Sequence, residues 1–343
     1  DKIVQNLGDV KPTFMCGAPR IFEKVRGAVM TGNTGLKAKI ARWAFSVGYE
    51  SIDDRLAGRE LKGALAVKYK IADKLVFSKL KERLGGRMRF MISGSAKLSP
   101  QVQRWFYGAG ILIVEGYGAT ETSAIASLDL PEDPHFGSIG PVLPGMEAKL
   151  GDDGELLLRG PIITPGYHNL PEKTAAVLTE DGWYHTGDIA EISPEGIIRI
   201  TDRKKDLFKT SGGKYVAPQK VESAIQANIP YIAQSIAVGE GRKYVSALVV
   251  LDPVLLQKWA DNHGHKGSYA ELSQRPEIKA SIERQMQRVN DKLERWETVK
   301  KFAILDHELT VENDGVTANM KIRRSVVTDK YKDIVDGLYP TED

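Results

Sequence analysis

The sequence predicts a large α/β unit followed by a smaller α+β unit, on three observations. The run from Arg89 to Gly118 reads strand, turn, helix, strand, turn, which is the order of a parallel α/β sheet with a site at its strand ends. From about Gly137 to Ile200, glycine and proline are dense and short β-rich runs recur, which predicts a small β-subdomain at about 137–200. Beyond the charged run Asp202–Asp206 come further strands and helices of a separate unit, so the expected domains are 1–204 and 205–343.

The elements follow in order. The stretch up to about Gly86 reads mostly helical. A helix is expected over Arg59–Leu84, with Leu61, Leu65, Tyr69, Ala72, Val76 and Leu80 at spacings of three and four. Arg89–Ile92 reads as a strand leading into the turn Ser93-Gly94-Ser95-Ala96. Ser99 then caps a helix that has Pro100 at its first position and ends near Gly108–Gly110. Ile111–Glu115 is an apolar strand before the turn Gly116–Gly118. In the β-subdomain, Glu155–Arg159 and Ile197–Ile200 read as strands. In the last unit the expected elements are strands Ser235–Val238 and Val245–Leu251, helices Val254–His263 and Glu277–Trp296, a strand near Phe302–Leu305 and a terminal helix.

Composition narrows function little. With 48 basic and 45 acidic residues the net charge is +3, which neither requires nor forbids a polyanionic partner. The single cysteine, Cys16, makes an internal disulfide impossible and fits a reducing cytoplasm; it reads as a packed or incidental residue ahead of a catalytic thiol. No apolar run reaches the ~18 residues of a membrane-spanning helix, and no secretory signal opens the chain. The chain opens on Asp1 without an initiator methionine and is expected to be a piece of a longer protein.

Four segments carry chemistry. Glu115–Glu121 (EGYGATE) offers glycines for close backbone approach, a threonine hydroxyl for phosphate oxygens, and a carboxylate for Mg²⁺. The plainer alternative is a tight turn with a capping threonine. In Trp183–Asp188 (WYHTGD) an aspartate just past a glycine suits the two hydroxyls of a ribose; a metal site at His185 and Asp188 lacks a third ligand, and a simple β-turn is the other reading. Asp202–Lys214 (DRKKDLFKTSGGK) runs from a charge cluster into a Gly-Gly loop, as a ligand clamp, a solvated linker, or both. Glu312–Arg324 (ENDGVTANMKIRR) delivers Lys321 at the start of a basic helix, where a lone lysine is ordinarily surface decoration.

Together, in this order and at these separations, the four segments resemble the adenylate-forming superfamily of acyl-CoA synthetases, peptide-synthetase adenylation domains and firefly-type luciferases. Ala18–Lys24, the helical stretch to Leu84, Ser93–Pro100 and Asp202–Asp206 resemble the bacterial long-chain fatty-acid ligases within it. The resemblance implies ATP-dependent activation of a long-chain fatty acid as acyl-AMP, then transfer to coenzyme A, with ATP, Mg²⁺ and coenzyme A required. It implies a mobile C-terminal domain and a cytoplasmic enzyme, peripheral at the inner membrane face.

The same resemblance implies residue roles. Gly94, Ser95, Ala96, Glu115, Gly116 and Tyr117 would line the adenine pocket, with Tyr117 and Gly118 bordering the acyl carbonyl. Thr120 would hold phosphate and Glu121 Mg²⁺; Asp188 and Arg203 would bind ribose. Lys205 matches the hinge, Lys321 the catalytic lysine of the first step, and Lys209, Gly212 and Gly213 the coenzyme A side. No TSGTTGxPKG-like phosphate loop occurs in the 343 residues, so the chain is expected to be incomplete as an enzyme. Thr317–Met320 departs from the relatives' usual threonine-proline-threonine.

Other classes stay open: a ligase for another acid, a carrier-protein acceptor, or an AMP-binding fragment without turnover. A nucleic-acid partner is not expected. Arg55–Arg89 holds eleven basic and three acidic residues, but they ring an amphipathic helix with little aromatic interleaving. The same lysines, among them Lys62, Lys68, Lys70, Lys74, Lys79 and Lys81, could instead meet anionic lipid or simply form a solvated face.

Overall fold

The computed structural model describes residues 3–31, 35–317 and 322–339. Its contacts divide the chain into two units, Asp1–Thr201 and Asp202–Asp343.

The first unit holds two sheets. In one, β1 (Phe14–Gly17), β2 (Phe90–Ser93) and β3 (Leu112–Tyr117) run parallel, and β4 (Ser127–Leu128) pairs antiparallel with β3. The helix Pro100–Gly108 links β2 to β3, and Ser99 caps it by accepting from the Gln101 N–H at 3.3 Å. Its Trp105 stacks on Phe45 from the helix Gly35–Glu50 at 4.2 Å between centroids, in a core that also takes Phe22, Phe77 and Phe106. In the other sheet β5 (Glu147–Leu150), β6 (Glu155–Arg159), β7 (Tyr184–Ile192) and β8 (Ile198–Arg203) lie in sequence order around Leu156, Leu158, Ala190 and Ile198.

The expected helix over Arg59–Leu84 is shorter and interrupted. It opens at Gly63, because Arg59 is held back on Asp54 (2.7 Å) and the chain at Lys62 is extended. A π-helical stretch, Asp73–Phe77, then separates Gly63–Ala72 from Ser78–Arg83. Cys16 is exposed on β1, not packed.

The second unit begins with a short hairpin, β9 (Phe208–Lys209) and β10 (Tyr215–Val216). The helix Pro218–Asn228 follows, and then the sheet β11 (Ile232–Val238), β12 (Val245–Leu251), β13 (Val299–Ile304). β12 is buried throughout: Val245, Ala247, Val249 and Leu251 face one core, Leu248 and Val250 the other. That explains its unbroken apolar run. The helix expected to reach Trp296 ends at Asn290, whose side-chain amide pairs with both the N–H and the C=O of Val299 and turns the chain into β13. The terminal helix is two short ones, Arg324–Lys330 and Lys332–Gly337.

Candidate nucleotide site

The turns that follow β2 and β3 lie side by side because those strands are parallel neighbours, with Ser93 opposite Glu115. Gly94 leaves β2 with its N–H on the Gly17 carbonyl (3.1 Å), and Ser95 turns the chain with φ of 70°. Ser95 and Ala96 are exposed. Glu115 points inward. It is 3% exposed, and its Oε2 accepts from the Leu98 N–H at 2.8 Å, which ties the Gly94–Ala96 turn to β3. Its Oε1 is buried with no hydrogen-bond partner among the described residues. Burial pushes this carboxyl up to about 8, against the pull of the Leu98 N–H and of Lys97.

Beyond Tyr117 the chain closes tightly. A side chain at Gly118 would meet the Ala124 carbonyl oxygen at 1.7 Å, so only glycine fits. Thr120–Thr122 forms a single 3₁₀ turn, closed by the buried Thr122 hydroxyl, which accepts from the Ala119 N–H at 2.8 Å. Ser123 and Ala124 then take positive φ of 51° and 92°, a costly conformation for residues with a Cβ. Thr120 is exposed at the tip. The Glu121 carboxylate accepts from the Tyr167 hydroxyl (2.8 Å), its carbonyl accepts from the Thr164 N–H (2.8 Å), and Ser123 Oγ donates to the Ile162 carbonyl (2.8 Å). The hydrogen bond to Glu121 raises the Tyr167 phenol above its ordinary range.

Asp188 reaches this turn by a bulge. β6 and β7 pair Glu155 with Ile189 but Leu157 with His185, so Thr186, Gly187 and Asp188 oppose Leu156 alone. Gly187 has φ of 72° and donates its N–H to Glu155 Oε1 (2.8 Å), while His185 Nδ1 meets Glu155 Oε2 at 3.1 Å. Thr186 Oγ donates to the Leu156 carbonyl and accepts from the Asp188 N–H. So held, Asp188 Oδ2 accepts from the Tyr117 hydroxyl at 2.5 Å. Burial, and then the Asp188 carboxylate, drive the Tyr117 phenol far above its usual value.

Gly94, Ser95, Ala96, Glu115, Gly116, Tyr117, Gly118, Thr120, Glu121 and Asp188 all belong to the first unit, and the contacts above link most of them. Arg203, Lys205, Lys209, Gly212 and Gly213 belong to the second. Asp202, just before Arg203, is buried and accepts from the N–H groups of Arg203 and Gln219, the latter in the first turn of the helix Pro218–Asn228. Lys205 is exposed in the turn that follows. Lys209, Gly212 and Gly213 lie on the exposed β9–β10 hairpin, where Gly213 has φ of 79° and Lys209 Nζ sits 5.5 Å from the Tyr215 ring centre.

Lys321 lies outside the described residues. On either side of it Val316 and Ile322 form a β-bridge, and the Arg323 N–H donates to the Gly315 carbonyl. Arg324 makes a partly buried ion pair with Glu222 at 2.7 Å and donates to the Ala237 carbonyl, fixing the helix that follows Lys321 to β11.

The sequence reading missed Tyr167, Glu155 and Glu222. Each partners a residue that was singled out or that adjoins one, but none stands in a motif.

Parallel strands ending in a glycine-rich turn, to which a neighbouring sheet returns an aspartate, define a nucleotide-binding α/β protein. Family models for the AMP-binding enzyme and for its C-terminal domain match residues 1–168 and 205–343. The chain belongs to this AMP-binding, adenylate-forming family.

Among its relatives, the "Putative fatty-acid--CoA ligase fadD11" of Mycobacterium tuberculosis is 37% identical over 99% of this chain and 60% of its own length. The "Long-chain-fatty-acid--CoA ligase FadD15" of the same species is 33% identical over 98% of the chain and 56% of itself. The human "Long-chain-fatty-acid--CoA ligase 1" is 32% identical over 99% and 49%. The chain therefore spans from about half to three fifths of these relatives. Among solved structures, the adenylation domain of a carboxylate reductase from Mycobacterium chelonae superposes with a TM-score of 0.71 at 25% identity, over 98% of this chain and 48% of that one.

Proposed function

We propose that the chain provides the nucleotide-binding turn and the C-terminal domain of an AMP-forming long-chain fatty-acid–CoA ligase. On this reading the large domain ends at about residue 204 and the smaller one begins at 205. The observation that carries the proposal is the convergence of the Tyr117–Glu121 turn with the bulge-borne Asp188. The names of the relatives support the acid and the acceptor.

The carboxylate of the fatty acid attacks the α-phosphorus of ATP, forming a C–O–P bond as pyrophosphate leaves. The coenzyme A thiol then attacks the acyl carbonyl, forming the thioester as AMP leaves. Asp188 and Arg203 take the ribose hydroxyls, Gly94–Ala96 with Glu115–Tyr117 the adenine, and Tyr117 and Gly118 the region of the acyl carbonyl. Thr120 holds phosphate, and Lys321 supports the charge that builds on the α-phosphoryl oxygens.

Glu121 suits Mg²⁺, which is held by one or two carboxylates together with substrate phosphates; its carboxylate sits in a polar setting beside Thr120 and Tyr167. Mg²⁺ bound there would neutralise phosphate charge. Among the described residues no cluster of three His, Cys, Asp or Glu offers an all-protein cage instead. Lys209, Gly212 and Gly213 face the pantetheine arm, and Lys205 is the hinge. The enzyme is cytoplasmic and works at the inner membrane face; among the described residues no helix is long and apolar enough to cross a membrane.

Calorimetric titration of the chain with AMP tests the site. Asp188→Ala should weaken binding by about tenfold or more, the scale of losing a charge-assisted pair of hydrogen bonds. Unchanged AMP affinity in a folded Asp188→Ala variant would remove the ribose assignment. In an enzyme competent for both steps, pyrophosphate release that depends on a long-chain acid, with AMP release that depends on coenzyme A, tests substrate and acceptor.

A further inference from the structure

We infer that Glu222 is a positioning residue for Lys321, acting through Arg324. The inference rests on the proposed role of Lys321 in the first step. Lys321 lies outside the described residues, one peptide bond before Ile322, and the chain around it is gathered at a well-bonded base. Val316 and Ile322 form a β-bridge, and the Arg323 N–H donates to the Gly315 carbonyl at 3.0 Å. Asn313 shapes the entry to this base. Its Oδ1 accepts from the N–H groups of Thr310 (2.9 Å) and Gly315 (3.1 Å), and its Nδ2 donates to the Glu308 carbonyl (2.7 Å). Val316, Ile322 and Val327 then pack on the core beneath, an attraction that has no direction of its own.

Direction comes from Arg324, the first residue of the helix Arg324–Lys330. Its Nη2 reaches both Glu222 oxygens, at 2.7 and 2.9 Å, while its Nη1 donates to the Ala237 carbonyl at 3.0 Å. Glu222 is held from behind, because its Oε1 accepts from the Ala237 N–H at 2.8 Å. The pair thus closes on both polar groups of one residue of β11. A carboxylate this buried is a poor source of stability, since apolar side chains of the same volume often serve as well. What the planar guanidinium adds is a fixed distance and angle. A second acid makes the loss of Glu222 a displacement. Asp202 is 1% exposed and accepts from the N–H groups of Arg203 and Gln219; burial raises its carboxyl to about 6, against the pull of those two groups and of Arg324. With Glu222 made neutral, Asp202 is the buried anion left to draw Arg324 away from Ala237, and Ile322 and Lys321 with it.

Two measurements test this. On the 343-residue chain, hydrogen exchange reads the base itself. In Glu222→Gln the Arg323 N–H should exchange about tenfold faster, as a locally destabilised segment does. In an enzyme competent for both steps, the same variant should slow adenylation by about tenfold to a hundredfold, the scale of a group misplaced by about 1 Å, with KM for ATP and thioester formation from supplied acyl-adenylate within about twofold of the parent. Glu222→Asp keeps the charge on a shorter arm and should fall between the two. Added to Lys321→Ala, Glu222→Gln should slow adenylation no further, because a residue acting only through Lys321 then has nothing to place. Tyr231→Phe gives up hydrogen bonds with Ser281 and Gln285 elsewhere in the second unit; it controls for stability and should leave the exchange and both steps as in the parent.

A further loss on top of Lys321→Ala overturns the inference, as do equal losses in the two steps, unchanged exchange at Arg323, or the same losses in Tyr231→Phe. Each of these leaves Lys321 in its role. Full adenylation by Lys321→Ala would instead remove that role, and the inference with it. Should Glu222→Gln fail to fold, Glu222→Asp decides alone, and adenylation at the parent's rate overturns the inference.

Discussion

Glu115→Gln separates two things the buried carboxyl does. Its Oε2 holds the Leu98 N–H, and its burial at 3% exposure holds its proton. The folded value stands raised from 4.5 to about 8. For an acid raised in the folded state, the stability contribution is whole below the unfolded value and is lost as pH rises through the folded one. The unfolded chain sheds this proton from about pH 4.5, while the native chain keeps it until about pH 8. Across that window the parent should lose stability, by at most about 4–5 kcal/mol for a shift of this size.

Glutamine keeps the acceptor for Leu98 and cannot ionise, so its variant should lack this fall. The variant and the parent should lie within about 1 kcal/mol of each other at pH 5, and the variant should be about 2–4 kcal/mol more stable at pH 8.5. Glu115→Leu removes the acceptor and should cost about 1–3 kcal/mol at pH 5, where the parent's carboxyl is protonated. Urea unfolding followed by tryptophan fluorescence, from pH 5 to 8.5, reads all three chains. Parallel curves for parent and Glu115→Gln would refute the reasoning.

Gly118→Ala places a methyl against the Ala124 carbonyl and should cost about 2 kcal/mol or more, with AMP affinity falling too, since the whole 117–124 turn must shift; chemical denaturation and calorimetry read both effects. Arg324→Met leaves Glu222 buried without its cation, held only by the Ala237 N–H among its described partners; its carboxyl is raised to about 7 even with Arg324 present, and the change should cost about 3–5 kcal/mol at pH 8. A second change, Glu222→Gln, should recover part of that loss, and a double-mutant cycle of unfolding midpoints measures how much. Lys321→Ala, in an enzyme competent for both steps, should slow adenylation by about 10²-fold or more while sparing thioester formation from supplied acyl-adenylate. Equal loss in the two half-reactions would take the role away from Lys321.

What the sequence revealed and what it hid divide by distance along the chain. Val245–Leu251 was legible because a strand covered on both faces is an unbroken apolar run. Ser99-Pro100 was legible because a cap acts on its nearest neighbours. The Arg59–Leu84 periodicity showed which side chains pack inward. It could not show the π-helical step.

Within the candidate site, the glycines and Asp188 announced themselves as a motif, yet what aims Asp188 is a mismatch in pairing between β6 and β7, and single-strand patterns carry no register. Glu121 with Tyr167 and Glu222 with Arg324 are partnerships between residues 46 and 102 positions apart. Glu121 and Arg324 stood in motifs, but nothing near Tyr167 or Glu222 along the chain marks them as their partners.

The hydrogen bond from Tyr167 to Glu121 has a consequence for how the site fills. Three contacts moor the 162–167 segment to one small turn: Ser123 on Ile162, the Glu121 carbonyl on Thr164, and the Glu121 carboxylate on Tyr167. Two of the three use main-chain carbonyls and are indifferent to what binds outside. The third uses the turn's carboxylate, the anionic group placed to meet a cation. A metal bound to this carboxylate would compete with the Tyr167 hydroxyl for its lone pairs, while the two carbonyl contacts would hold the segment in place.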